Sequence, residues 1–144
     1  MDANTDQIFK NKKEKNLDAL LSKLTPLFKS GVEYVGVINE QGRFVDAIYK
    51  KTLNVPAGQL EMFFMGARLQ CSMQKDFDDA LGRLSYVLIQ REDLRILSVP
   101  ILSFIVIVVT RTKSNHHKII EKIINAAHNL VNQEGVQEDG CQEH

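Results

Sequence analysis

The sequence predicts an α+β domain, a five-stranded antiparallel sheet sandwiched between helices in the order α-β-β-α-β-β-β-α. Three observations lead there. Residues 100–113 read PILSFIVIVVTRTK, and five of the seven residues from Phe104 to Thr110 are Ile or Val. Branched side chains crowd a helix but fit a pleated sheet. A short continuous run of them is a strand covered on both faces, which requires neighbours on both edges and layers above and below. Both ends of the globular region carry helical stripes, Leu17, Leu20, Leu21, Leu24, Leu27 and Phe28 at one end and Ile119 to Val131 at the other. The segment between the strands, Gln59 to Leu81, carries two apolar stripes where one would suffice to face a sheet.

The elements follow in order. Residues 1–15 form a polar extension whose basic knot, Lys10 to Lys15, already contains Glu14. Residues 16–29 read as a helix whose last turn is expected to kink or end at Pro26, because proline removes a backbone donor. Ser30-Gly31 breaks it. Val32–Ile38 and Arg43–Tyr49 read as two strands of a hairpin across Asn39-Glu40-Gln41-Gly42. Simple alternation puts Phe44, Asp46 and Ile48 on one side of the second strand and Val45, Ala47 and Tyr49 on the other. A helix is expected over Gln59–Leu81. Its stripes are Leu60, Phe64, Ala67, Cys71 and Met62, Met65, Leu69, Met73, Phe77. Strands are expected at Leu84–Gln90, Leu94–Val99 and Ser103–Thr110, with Pro100-Ile101-Leu102 as the connection between the last two and the last strand near the sheet centre. Ser114-Asn115 looks like a helix cap. The domain spans 16–132, and an acidic tail over 133–144 is too poor in apolar residues to order itself.

Composition narrows the function classes. Eighteen basic and eighteen acidic residues give a formal net charge of zero, against the basic excess that a general nucleic-acid binder uses on phosphates. The apolar run from Pro100 is bracketed by Arg95 and by Arg111 and Lys113, and it is half the roughly 20 residues a membrane-spanning helix needs. The N-terminus lacks the basic and apolar segments of a secretory signal, so a cytoplasmic location is expected. Two cysteines, Cys71 in a core stripe and Cys141 in the tail, make no disulfide framework and suit a reducing compartment.

No phosphate loop, nucleophile elbow or HExxH pair occurs. His116 and His117 are adjacent, so on a helix they point about 100° apart and poorly share one metal. His128 is too far along the axis to join them. Asp76, Asp78 and Asp79 lack the alternating spacing and closing glutamate of a calcium loop. These residues point to no metal or cofactor, and they leave catalysis unsupported but not excluded, since active sites assemble from residues far apart in the chain.

Three passages, VEYVGVINEQGRFVDAI, LRILSVPILSFIVIVVT and HHKIIEKIINAAHNL, together with the element order, resemble the Roadblock family of dynein light chains and of bacterial and archaeal GTPase regulators, a profilin-like fold. The turn ILS departs from the Gly-Asp type that the family often has before its last strand, which suits a divergent branch such as an archaeal one. The resemblance implies a non-enzymatic module that dimerises by pairing middle helices and joining sheets edge to edge, with a small Ras-like GTPase or a signalling assembly as partner. Carried onto this chain, a homodimer interface falls on Met62, Phe63, Met65, Leu69 and Met73, in agreement with the surplus apolar stripe there and with the adaptability of methionine. A second reading is a small-molecule sensor whose ligand lies between the sheet and the middle helix, lined by Tyr34, Tyr49 and Tyr86. Neither nucleic acid nor a membrane is an expected partner.

Overall fold

The computed structural model describes residues 16–134. The chain divides into two compact units, one being Leu27–His116 and the other drawn from the two chain ends, up to Pro26 and from His117. The expected N-terminal extension, most of the expected tail and Cys141 lie outside the described residues.

In the unit drawn from the ends, helix α1 (16–24) buries Leu17, Leu20, Leu21 and Leu24, the stripe its spacing foretold. Pro26 has the expected effect. The α-helix stops ahead of it and Thr25–Ser30 continues as a 3-10 helix, while the Thr25 hydroxyl donates to the Leu21 carbonyl at 3.1 Å. Helix α4 (His116–Glu134) buries Ile119, Ile120, Ile123 and Ala126.

The other unit holds the whole sheet. Strands β1 (Val32–Asn39), β2 (Phe44–Tyr49), β3 (Val87–Gln90), β4 (Leu94–Ile101) and β5 (Phe104–Arg111) pair antiparallel throughout, in the order β2-β1-β5-β4-β3. The Ile/Val-rich strand is thus the central one. Ile105, Ile107 and Val109 join a cluster with Tyr34, Ile38, Ile96 and, from helix α2 (Ala57–Lys75), Phe64, Ala67 and Cys71. Val106 and Val108 alternate with them on the opposite face and are fully buried, as are Val35, Val37 and Leu97. Burial on both faces explains why β5 tolerates no polar alternation.

The β1–β2 turn is tied by Asn39, whose Oδ1 accepts the N–H groups of Gln41 and Arg43, both at 3.0 Å. Gly42 has φ +83, a left-handed conformation that favours glycine, and a Cβ there would stand 3.2 Å from the Met65 sulfur, which would have to shift slightly. Past this turn the simple alternation fails. Val37 pairs with Asp46 but Ile38 pairs with Phe44, leaving Val45 as the extra residue of a bulge. The bulge moves Phe44 onto the face of Ala47 and Tyr49, and its ring stacks on Phe64 at 5.8 Å.

Other boundaries shift for physical reasons. The helix expected to reach Leu81 ends at Lys75, and a short helix α3 (Asp78–Leu81) follows. Acidic residues oppose the dipole at a helix C-terminus but favour an N-terminus. Restarting the helix places Asp78 and Asp79 in a first turn. The Asp78 carboxylate then accepts the N–H of Leu84 at 3.1 Å, and β3 begins only at Val87. Pro100 lies within β4, not in a connection, and pairs with Ile105. It is accommodated because β3 pairs only with Arg95–Ser98, so the outer side of β4 carries no ladder at Pro100.

The β4–β5 corner is therefore the two residues Leu102 and Ser103, and Leu102 has φ +56. A left-handed conformation costs an L-residue about 1–2 kcal/mol. Leu102 is exposed, so its side chain returns little of this. Leu102→Gly should raise stability by about 0.5–1 kcal/mol after glycine's own entropy cost, read as a higher urea midpoint at unchanged slope. A lower midpoint would show that the leucine side chain contributes more than its exposure suggests.

Candidate functional site: the outer face of α2

Helix α2 starts after Pro56, with Gln59 N–H donating to the Pro56 carbonyl at 2.8 Å. At about 100° per residue, Phe64, Ala67 and Cys71 share one face, and Met62, Met65, Leu69 and Met73 share the face diametrically opposite. The first set is buried in the cluster against the sheet. The second is exposed, with 74% of Met62 and 65% of Met73 open to solvent. Beyond the end of α2, Phe77 and Leu81 prolong the apolar exposure. Four of the five expected interface residues thus share one outward stripe. Phe63 does not. It is half-buried, packs against the core cluster and meets Phe64 edge-on at 5.7 Å.

Two features of this face escape a reading by periodicity. Gly66 lies within the stripe, and a Cβ added there would meet nothing within 4 Å. Glycine has no hydropathy to register, yet it leaves the helix backbone open to close approach. Met62 also stands as a ridge between two clefts. One, of about 850 Å³, has Phe63, Leu94, Ile96 and Val109 in its walls and Arg91, Glu92 and Asp93 at its rim. The other, of about 720 Å³, is lined by Phe44, Leu60, Phe64 and Met65. Tertiary packing alone creates both.

The three tyrosines are not brought to one place. Tyr34 and Tyr49 are cross-strand partners on β1 and β2 with rings stacked at 6.1 Å. Tyr86 precedes β3, at the opposite edge of the sheet. None of them lines either cleft beside Met62. The Tyr34 ring folds over Gly36, where a Cβ would come within 2.6 Å of it. Burial, reinforced by the neighbouring Tyr49 phenol, pushes Tyr34 up from 10.0 to about 12. The folded chain therefore keeps a proton that the unfolded chain releases near pH 10. This contribution is intact below pH 10 and is lost as pH rises from 10 towards about 12. Tyr34→Phe should move the alkaline unfolding midpoint upward, followed by circular dichroism across that window. An unmoved midpoint would assign alkaline unfolding to other groups.

Cys71 is a core residue whose thiol is pushed up by burial, with Lys75 pulling weakly the other way. That makes it a poor nucleophile. Among the described residues no three His, Cys, Asp or Glu side chains stand together as a metal site, and no helix is long and apolar enough to cross a membrane.

This arrangement, an open five-stranded antiparallel sheet with helices, is that of the Roadblock/LC7 fold. The Roadblock/LC7 domain from Streptomyces avermitilis superposes with a TM-score of 0.60 at 8% identity, covering 79% of this chain and 93% of that one. The gliding protein MglB from Thermus thermophilus gives 0.63 at 12% identity, covering 80% and 87%. A structure of MglB in a tetrameric arrangement gives 0.62 at 16% identity, covering 81% and 85%. No protein-family model matches the sequence, and no curated protein does. At these identities the likeness is one of fold.

Proposed function

We propose that this chain is a non-enzymatic interaction module that forms a homodimer through the outer face of α2 and, as a dimer, scaffolds or regulates a small Ras-like GTPase or a signalling complex in the cytoplasm. The observation that carries the reading is the stripe Met62, Met65, Leu69 and Met73, apolar and exposed on the side of α2 opposite its core contacts. Contiguous exposed apolar surface of this kind marks a partner site. A second copy is the occupant with the simplest fit. Two such helices can approach at Gly66, and the ridge at Met62 can enter the cleft between Phe44 and Met65 of its mate. The shared fold supports the same reading, since a tetrameric arrangement is described for one MglB and a role in gliding for another. Neither nucleic acid nor a membrane is part of the proposal.

Sedimentation equilibrium tests the dimer. The expected mass is twice the 16.3 kDa of the chain, and a strict monomer at high concentration would overturn it. Retention of a small GTPase from the native cell by the tagged chain, differing between its GTP- and GDP-loaded forms, tests the partner. Absence of retention in both forms counts against it.

The cleft walled by Phe63, Leu94, Ile96 and Val109 favours a second reading, a small-molecule sensor, because its size and apolar lining are those of a ligand site. A small molecule co-purifying with the chain and lost on Phe63→Arg would favour that reading.

A further inference from the structure

Strand β2 lies at one outer edge of the sheet and reads FVDAIY. Phe44, Val45 and Tyr49 on it are exposed. A segment of six residues with high β-propensity, little charge and neither Pro nor Gly is a ready template for another strand. Only Asp46 in it carries a charge.

The register shows which backbone groups face that bare edge. The Lys50 N–H donates to the Glu33 carbonyl at 2.9 Å, so the hydrogen-bonded pairs further along are Val35/Ile48 and Val37/Asp46. Ala47 and Tyr49 therefore turn their N–H and C=O groups outward. The Ala47 N–H is already taken, since it donates to Asp46 Oδ1 at 2.8 Å. An incoming strand would have to break this bond and pack apolar side chains against a carboxylate.

The other outer strand carries no such device. Strand β3 reads VLIQ, without a charge. The Arg91 N–H donates to the Leu94 carbonyl at 2.7 Å, which makes Ile89/Ile96 the next hydrogen-bonded pair and turns the backbone of Leu88 and Gln90 outward. Among the described residues no side chain accepts a bond from either of those amides.

We propose that Asp46 is a gatekeeper that closes the β2 edge to a second copy of this chain, capping the outward Ala47 amide and placing a charge in an otherwise adhesive strand. Its purpose rests on the dimer reading above. A two-fold contact through α2 closes after two copies, but a further two-fold contact through β2 would join dimers into tetramers or longer chains. Asp46 keeps the β2 edge out of that assembly.

The test compares the full wild-type chain with Asp46→Val, and with the milder Asp46→Thr in case the valine variant precipitates. Sedimentation velocity over a concentration series gives the mass, and hydrogen exchange at Ala47 and Tyr49 locates the contact. Wild type should hold one mass. The Asp46 variants should at least double it as concentration rises, with new protection at both amides. A folded variant whose mass follows wild type throughout would overturn the proposal, and so would growth without protection at Ala47 and Tyr49. A monomeric wild type whose Asp46→Val variant associates through β2 would overturn the α2 dimer and leave the gatekeeper standing.

Discussion

Replacing Met65 and Leu69 together by Glu should yield a folded monomer. Both side chains are exposed and stand on the face of α2 opposite Phe64, Ala67 and Cys71. In an isolated subunit the new carboxylates lie in water, so the fold should lose no more than about 0.5 kcal/mol per site. In a dimer paired through this face, four carboxylates would be withdrawn from water beside one another. Each unpaired buried charge costs several kcal/mol, which exceeds what the apolar stripe can return. The expected result is a mass of one chain at concentrations where wild type is dimeric, with an unchanged thermal transition of the isolated subunit. If the double variant unfolds instead, these residues belong to the core of the subunit and the dimer face lies elsewhere.

Phe64→Ala should have the opposite character and strongly destabilise the subunit. Its side chain is buried between the sheet and α2, stacked on Phe44 at 5.8 Å and met edge-on by Phe63 at 5.7 Å. Truncating a buried phenylalanine costs about 3–5 kcal/mol in transfer and cavity terms together. A domain of this size has roughly 5–15 kcal/mol in all. Met62→Ala, only two residues away, should change the stability of the subunit by less than about 0.5 kcal/mol while weakening self-association. Urea denaturation of both variants separates the two faces of one helix. A loss below about 1 kcal/mol for Phe64→Ala would mean that the core closes without it.

The face opposition tested by these variants was legible in the sequence. Two apolar stripes on one helix cannot both face one sheet, and the structure leaves outward the stripe that carries the methionines. The central strand was equally legible, since only a doubly covered strand can carry Phe104 to Val109 without a polar residue. Residues whose role depends on a distant partner were not. Val45 reads as an ordinary strand residue, and only pairing with β1 turns it into a bulge that carries Phe44 onto Phe64. Pro100 reads as a loop residue until β3 proves too short to need its amide. Phe63 belongs to no clean stripe and settled inward beside Phe64. The tyrosines look alike in sequence, but the strand order sets Tyr34 and Tyr49 on β1 and β2 and leaves Tyr86 beside β3 at the other edge.

By itself the sequence determined the element order, the identity of the central strand and the presence of a surplus apolar face, because these follow from local periodicity and from the need to keep apolar surface out of water. Tertiary structure alone decided strand register, the left-handed corner at Leu102, the clefts beside Met62 and which outer strand has an outward amide capped by a carboxylate. Those properties arise where segments far apart in the chain meet. Their energies belong to pairs of residues, and no single stretch of sequence contains both members.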